Sequence, residues 1–167
     1  MFKKSALLVG MMFVPFATSA AEVPITGTVE SRCIIQTDSA GTFGNPNAYT
    51  LTTKPADGGE PAIVRYDITL ADSYYAEITP PTAFSSAPAL PDVVTWVGSV
   101  EVSTVSDATG MGTYETDKVE LGDTDRYDMT ATGSTWFKIS STATMGGEKA
   151  FAGGTYTAVA EAVCIAK

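Results

Sequence analysis

The chain has 167 residues, with 10 Lys+Arg against 19 Asp+Glu, no histidine and two cysteines. Without histidine it cannot form a Ser-His-Asp or Cys-His site, a His-ligated zinc centre, or the usual near-neutral general base. A formal charge of −9 disfavours any partner held mainly through phosphates, so no nucleic-acid partner is expected.

At the start, Lys3 and Lys4 precede an apolar run from Ala6 to Phe16, and Ala17-Thr18-Ser19-Ala20-Ala21 supplies small residues of the A-x-A type. This is the pattern of a secretory signal peptide over residues 1–21, cut after Ala20 or Ala21, followed by a single domain over 22–167. An apolar run of about 11 residues falls well short of the roughly 20 that cross a bilayer core. Nothing after Ala21 comes near that length, so the mature chain is expected to have no membrane span. Export would carry the protein through the periplasm to the cell surface or beyond. Loss of Lys3 and Lys4 would take the charge from −9 to −11.

The region after Ala21 holds 23 Thr, 12 Val and 8 Ile against four Leu. β-branched side chains lose freedom in a helix and pack well on a pleated surface, so strands are expected throughout. In chain order, Val23, Ile25, Gly27 and Val29 share one face, in phase with Cys33 and Ile35. Asn45-Pro46-Asn47 and Pro55-Ala56-Asp57-Gly58-Gly59 read as turns. Val64, Tyr66, Ile68 and Leu70 alternate with Ile63, Arg65, Asp67 and Thr69, and the first set is expected to face the core. Pro80-Pro81 marks a loop, and Phe84 to Asp92, with Pro88 and Pro91, the longest crossover. Val94, Trp96, Val100 and Val102 form the next face, with Gly98 as a bulge or a point of close approach. After the Gly122-Asp123 turn come Tyr127, Met129 and Ala131, then Phe137 with Ile139. Gly146-Gly147 and Gly153-Gly154 are the last turns. The final strand is expected from Thr155 to Ile165, with Tyr156, Ala158, Ala160, Ala162 and Cys164 on a face of small residues opposite Val159, Val163 and Ile165. Short strands between such turns predict an all-β sandwich or barrel.

Chemistry-bearing patterns are few. Asp123, Asp125 and Asp128 could be read as an oxygen-rich calcium loop, but the EF-hand glycine and bidentate Glu are missing and a solvated turn is the simpler reading. No glycine pair precedes Lys-Ser or Lys-Thr, so no phosphate loop is expected. Trp96 and Trp136 read as packing residues before they read as sugar platforms. No catalytic residue, metal or cofactor is expected, and the chain does not read as an enzyme.

Cys33 lies 12 residues into the mature chain and Cys164 three residues before the end. In an oxidising compartment an even pair points to a disulfide, the alternative being two buried thiols. The first mature segment, Ala21 to Glu30, alternates apolar and polar residues and has no folded element before it. Such a strand either completes its own sheet or is inserted at the edge of a neighbour's.

In its alternating start Val23 to Val29, its Val94-Thr95-Trp96-Val97-Gly98 strand and its Ala152-Gly153-Gly154-Thr155-Tyr156 approach to the last strand, the chain resembles the major subunits of chaperone-usher pili. The likeness is closest to the alternate type, whose subunits begin almost directly with their donor strand. The resemblance implies an incomplete immunoglobulin-like β-sandwich completed by a donated strand, in a fimbrial filament of copies of this chain serving adhesion or a surface coat. It implies a periplasmic chaperone and an outer-membrane usher as further partners. It assigns Val23, Ile25 and Val29 as pocket-filling side chains and Gly27 as a point of close backbone approach. A Cys33–Cys164 bridge constrains this picture. A strand inserted between two others holds them about 9.6 Å apart, whereas a disulfide needs Cα atoms within roughly 7 Å. The two must therefore converge at one pole. The alternative is a self-complete exported β-sandwich, a glycan- or envelope-protein-binding module locked by the same bridge.

Overall fold

The computed structural model describes residues 32–167. The expected leader and donor strand, with Val23, Ile25, Gly27 and Val29, lie outside the described residues. Among those described the protein is built of strands with no α-helix: β1 (Cys33–Ser39), β2 (Gly44–Asn47), β3 (Thr50–Thr52), β4 (Ala62–Ile68), β5 (Tyr74–Thr79), β6 (Phe84–Ser86), β7 (Val94–Val105), β8 (Val119–Leu121), β9 (Thr124–Asp128), β10 (Gly133–Met145), β11 (Thr157–Ala158) and β12 (Glu161–Ala166). The all-β reading of the composition holds.

All pairings between these strands are antiparallel. β10 organises the larger sheet. Its first half pairs with β4, its second half with β3, and β7 runs along its other side, while β1 borders β4 and β2 borders β3. A second sheet has the order β12-β5-β9-β8, and β11 pairs with β6 in a small third one. The two larger sheets enclose one core of Val64, Tyr66, Ile68, Ala76, Ile78, Val100, Tyr127, Phe137 and Ile139, closed at one end by Met111, Tyr114 and Met129. The β-branched and aromatic residues of each strand alternate into this space, which is why the pleat folds this way and not as a helix.

Two fully buried tyrosines tie the sheets together. The Tyr66 hydroxyl donates to the carbonyls of Glu77 and Val163 at 3.1 and 3.2 Å, and the Tyr127 hydroxyl donates to the Val100 carbonyl at 3.2 Å. Burial pushes both phenols well above the ordinary tyrosine range; for Tyr127 the nearby carboxylates, Glu115 first, add to it, and for Tyr66 the bond to Val163 opposes it. A phenol that stays neutral in the fold but ionises near pH 10 in the unfolded chain contributes stability that is complete below about pH 10. That stability is lost as pH rises toward the folded value. Each such residue removes about 1.4 kcal/mol per pH unit above 10. Denaturant titrations between pH 10 and 12 should show this slope, reduced by roughly half in Tyr127→Phe.

Several local expectations are corrected. Leu70 is 40% exposed because β4 stops at Ile68. Asn45-Pro46-Asn47 lies within β2, and the turn falls one residue later, at Ala48-Tyr49. Phe84–Ser86 is a strand, not crossover. Phe137 and Ile139 belong to a strand of 13 residues whose inward positions include Thr135, Ser141, Ala143 and Met145. Hydroxyl and small side chains at those positions conceal the period. Gly98 is a point of close approach, since a Cβ there would lie 2.2 Å from the Pro80 Cβ. The bulge of β7 falls instead near Ser103, between Val102 and Thr104. The final strand is broken at Val159-Ala160, β11 turning to β6 and β12 to β5.

Candidate functional site

β1 is the border strand of the larger sheet and β12 that of the second, and among the described residues each pairs with one neighbour only. At one pole they are joined by the Cys33–Cys164 disulfide, with a Cα–Cα distance of 6.4 Å. The predicted bridge is thus present, where the start of one strand meets the end of the other.

Past the end of β1, Thr42 forms a bridge with Glu60 through two backbone bonds of 2.8 and 2.9 Å. Successive residues of an extended chain alternate, so the peptide groups of Gly41 and Phe43 turn the other way. They border an open groove of about 580 Å³, whose opposite wall is Phe151 to Gly154 with Tyr156 to Ala158. A smaller hollow of about 80 Å³ shares Gly41, Thr42, Phe43 and Ala158 with it and reaches Ala160, Ile139 and Ser141. Ala158 and Ala160 belong to the predicted face of small residues, and with Ala162 and Cys164 they are half-buried. Their small side chains leave the space that larger ones would fill.

The floor of the hollow carries a polar group without a partner. Ser141 is 5% exposed; its backbone bonds to Thr53, but its Oγ has no hydrogen-bond partner. Buried hydroxyls are satisfied in most folds, and leaving one open costs about 1–3 kcal/mol.

The wide end of the groove is walled by aromatic rings. Phe84 lies edge-on to Trp96, Phe43 and Phe151 at centroid distances of 4.7, 6.2 and 6.0 Å, and Phe151 meets Tyr156 at 5.2 Å. Trp96 is accordingly a packing residue of this cluster, half-buried among rings. Trp136 lies on the outer face of β10 with the Arg65 guanidinium 5.8 Å from its ring.

Asp123, Asp125 and Asp128 do not converge. Asp125 pairs with Lys118 at 3.6 Å and Asp128 with Lys167, on different sides of β9. Burial pushes the Asp125 carboxyl above its ordinary value, with Lys118 opposing. No group of three His, Cys, Asp or Glu among the described residues could hold a metal ion, and no helix there is long and apolar enough to cross a membrane.

Of the residues singled out in the sequence, the structure brings together Cys33 with Cys164 and the row Ala158, Ala160, Ala162. It adds Gly41, Phe43, Ser141 and Phe151, which no motif marks. Phe43 between Gly41 and Gly44 is the nearest thing to a signal: a Cβ on Gly44 would lie 2.1 Å from the Asp57 carbonyl, so the chain is pressed against its neighbour there. In comparisons with known proteins, no family model, curated protein or solved structure matches this chain.

Proposed function

We propose that this protein is the structural subunit of an extracellular filament, assembled by inserting residues 22–31 of one copy into the groove of the next that lies between residues 41–43, past the end of β1, and residues 151–160, ahead of β12. The observation that carries this reading is the groove itself, with a hollow between Gly41–Phe43, past the end of β1, and Ala158 and Ala160, ahead of β12, lined also by the unsatisfied Ser141 hydroxyl. In this reading the order β1-β4-β10-β7 against β12-β5-β9 would be that of an immunoglobulin-like sandwich whose missing strand belongs beside β12. An inserted strand would supply main-chain bonds to both borders and apolar side chains to the hollow. In this reading Val23, Ile25 and Val29 fill it, and Gly27 allows close backbone approach.

A chaperone that masks the groove before assembly and an usher that exports the subunit are the partners this reading calls for, and adhesion or surface coating the role.

Two complementary variants test it. Ile25→Asp disables the inserted strand and leaves the groove; Ala158→Trp fills the groove and leaves the strand. Each alone should be monomeric by light scattering, and an equimolar mixture should form a 1:1 dimer and nothing larger. Multimers from either single variant would overturn the reading. So would a mixture that stays monomeric, which is what a self-complete binding module locked by Cys33–Cys164 predicts.

A further inference from the structure

We propose that the first half of β7 is a docking edge for a second protein, which binds there as an added strand through an extended segment alternating basic and β-branched residues. This edge is a different border of the larger sheet from the groove of strand insertion, and the partner binds it whether or not the chain forms filaments.

β7 pairs with β10 from Val94, opposite Met145, to Val105, opposite Thr135, and among the described residues it has no strand on its other side. In an antiparallel pair the main-chain groups of successive residues turn to opposite sides. Those of Val100 and Val102 turn away from β10. The Val100 carbonyl accepts from Lys118 Nζ and from the Tyr127 hydroxyl, and the Val102 N–H donates to Glu115 Oε2. The pairing from Val94 to Val102 is regular, so the same period turns the N–H and C=O groups of Trp96 and Gly98 outward. Among the described residues these groups have no hydrogen-bond partner, and Gly98 is exposed. Side chains therefore cover one half of the border. The other half, from Val94 to Ser99, is bare over about 20 Å.

The surroundings of the bare half select the occupant. Trp96, Gly98 and Ser99 line an open cleft of about 220 Å³ together with Glu120, Asp123 and Asp125 of the β8–β9 hairpin. Glu120 pairs with Asp125, and both are in phase with the buried Tyr127, so they stand on the core-facing side of the second sheet. Lys118, also at this cleft, is already engaged by Asp125 at 3.6 Å and Glu115 at 3.3 Å. Glu120 and Asp123 form no salt bridge among the described residues. An edge flanked by three carboxylates repels a second copy of a chain whose own charge is −9, and attracts a cationic strand. On the opposite face of the same stretch Val97 is 68% exposed. The side chains of an added strand alternate between the two faces, so basic residues point toward the carboxylates and β-branched ones lie beside Val97. Bonds to the Trp96 and Gly98 main chain hold the segment, and its side chains decide which segment binds.

The probe is an acetylated nine-residue peptide of alternating lysine and valine, added to the unmodified chain. In excess it should slow hydrogen exchange at the Trp96 and Gly98 amides by at least about tenfold, and leave the Val102 amide, already bonded to Glu115, unchanged. Combined Glu120→Gln and Asp123→Asn substitution, at two exposed positions that the fold tolerates, should weaken binding about tenfold. A peptide with glutamate for each lysine should give no protection up to about 1 mM. Two further peptides carry N-methyl groups on the lysines or on the valines, so that one of them lacks every donor able to face β7; that one should not bind. Absence of protection by the lysine peptide at about 1 mM would overturn the proposal, as would equal protection by the glutamate peptide. Equal protection by both N-methylated peptides would reduce the effect to attraction between charges and overturn the added strand. Protection gained without peptide as the protein is concentrated would make the occupant a second copy, and would overturn the basic partner.

Discussion

Paired Cys33→Ser and Cys164→Ser substitution should lower the unfolding free energy by about 5 kcal/mol, the largest effect expected of any change outside the core. The two residues are 131 positions apart, so the bridge closes nearly the whole described chain into one loop. On the chain-entropy account the constraint acts on the unfolded ensemble, and its size grows with the logarithm of that loop. A domain of this size has a total stability of about 5–15 kcal/mol, so the variant would stand near the limit of folding at 37 °C. Urea denaturation of the unmodified protein, with and without reductant, measures the same quantity without mutation. A shift under 1 kcal/mol would mean that the reduced chain retains the Cys33–Cys164 contact.

Phe137→Ala should cost about 3–5 kcal/mol, whereas Trp136→Ala, one residue earlier, should cost under about 1.5 kcal/mol. Phe137 is fully buried on the central strand, with ring centroids 4.6 Å from Tyr127 and 5.4 Å from Tyr66. Its removal leaves a cavity between the two tyrosines that link the sheets, and their bonds to Val100, Glu77 and Val163 hold the walls apart, so the space cannot collapse. Trp136 points the other way, half-buried beneath Arg65, and its loss exposes surface without opening a void. Denaturation of both variants under one set of conditions would show the alternation as a difference of at least about 1.5 kcal/mol. A larger cost at Trp136 than at Phe137 would mean that β10 is set in the opposite register.

Lys118 and Glu115 show how the fold manages the border at β7. This strand has 12 residues and, among the described residues, pairs with β10 alone, so its far side offers unpaired main-chain groups. Glu115 Oε2 accepts from the Val102 N–H at 2.7 Å, and Lys118 Nζ donates to the Val100 carbonyl at 3.2 Å, while the two side chains pair with each other at 3.3 Å. Burial would lower the Lys118 ammonium, but Asp125 and Glu115 outweigh it and hold the group above its ordinary value. An ion pair thus occupies part of the place a strand would take beside β7.

The residues that revealed strands were those whose side chains are both β-branched or aromatic and strictly alternating. Val64-Tyr66-Ile68 and Val94-Trp96-Val100-Val102 stand where their pattern placed them. β10 was visible only at Phe137 and Ile139, because Thr135 and Ser141 are inward residues that hydropathy counts as outward. The break at Val159-Ala160 was invisible for a different reason. Alternation continues across it, and only the competing partners β6 and β5 divide it.

By itself the sequence determined the all-β class, the absence of histidine chemistry, the availability of two cysteines and the run of alanines before Cys164, since each follows from side-chain type and period. That the two cysteines meet, and that Ala158 and Ala160 line a hollow with Gly41, Phe43 and Ser141, were decided by the tertiary structure. The physical reason is distance along the chain. Ser141 and Ala158 are placed by pairings between strands 65 to 94 residues apart, β10 with β4 and β3 and β11 with β6, and local propensity carries no information about which border will face which.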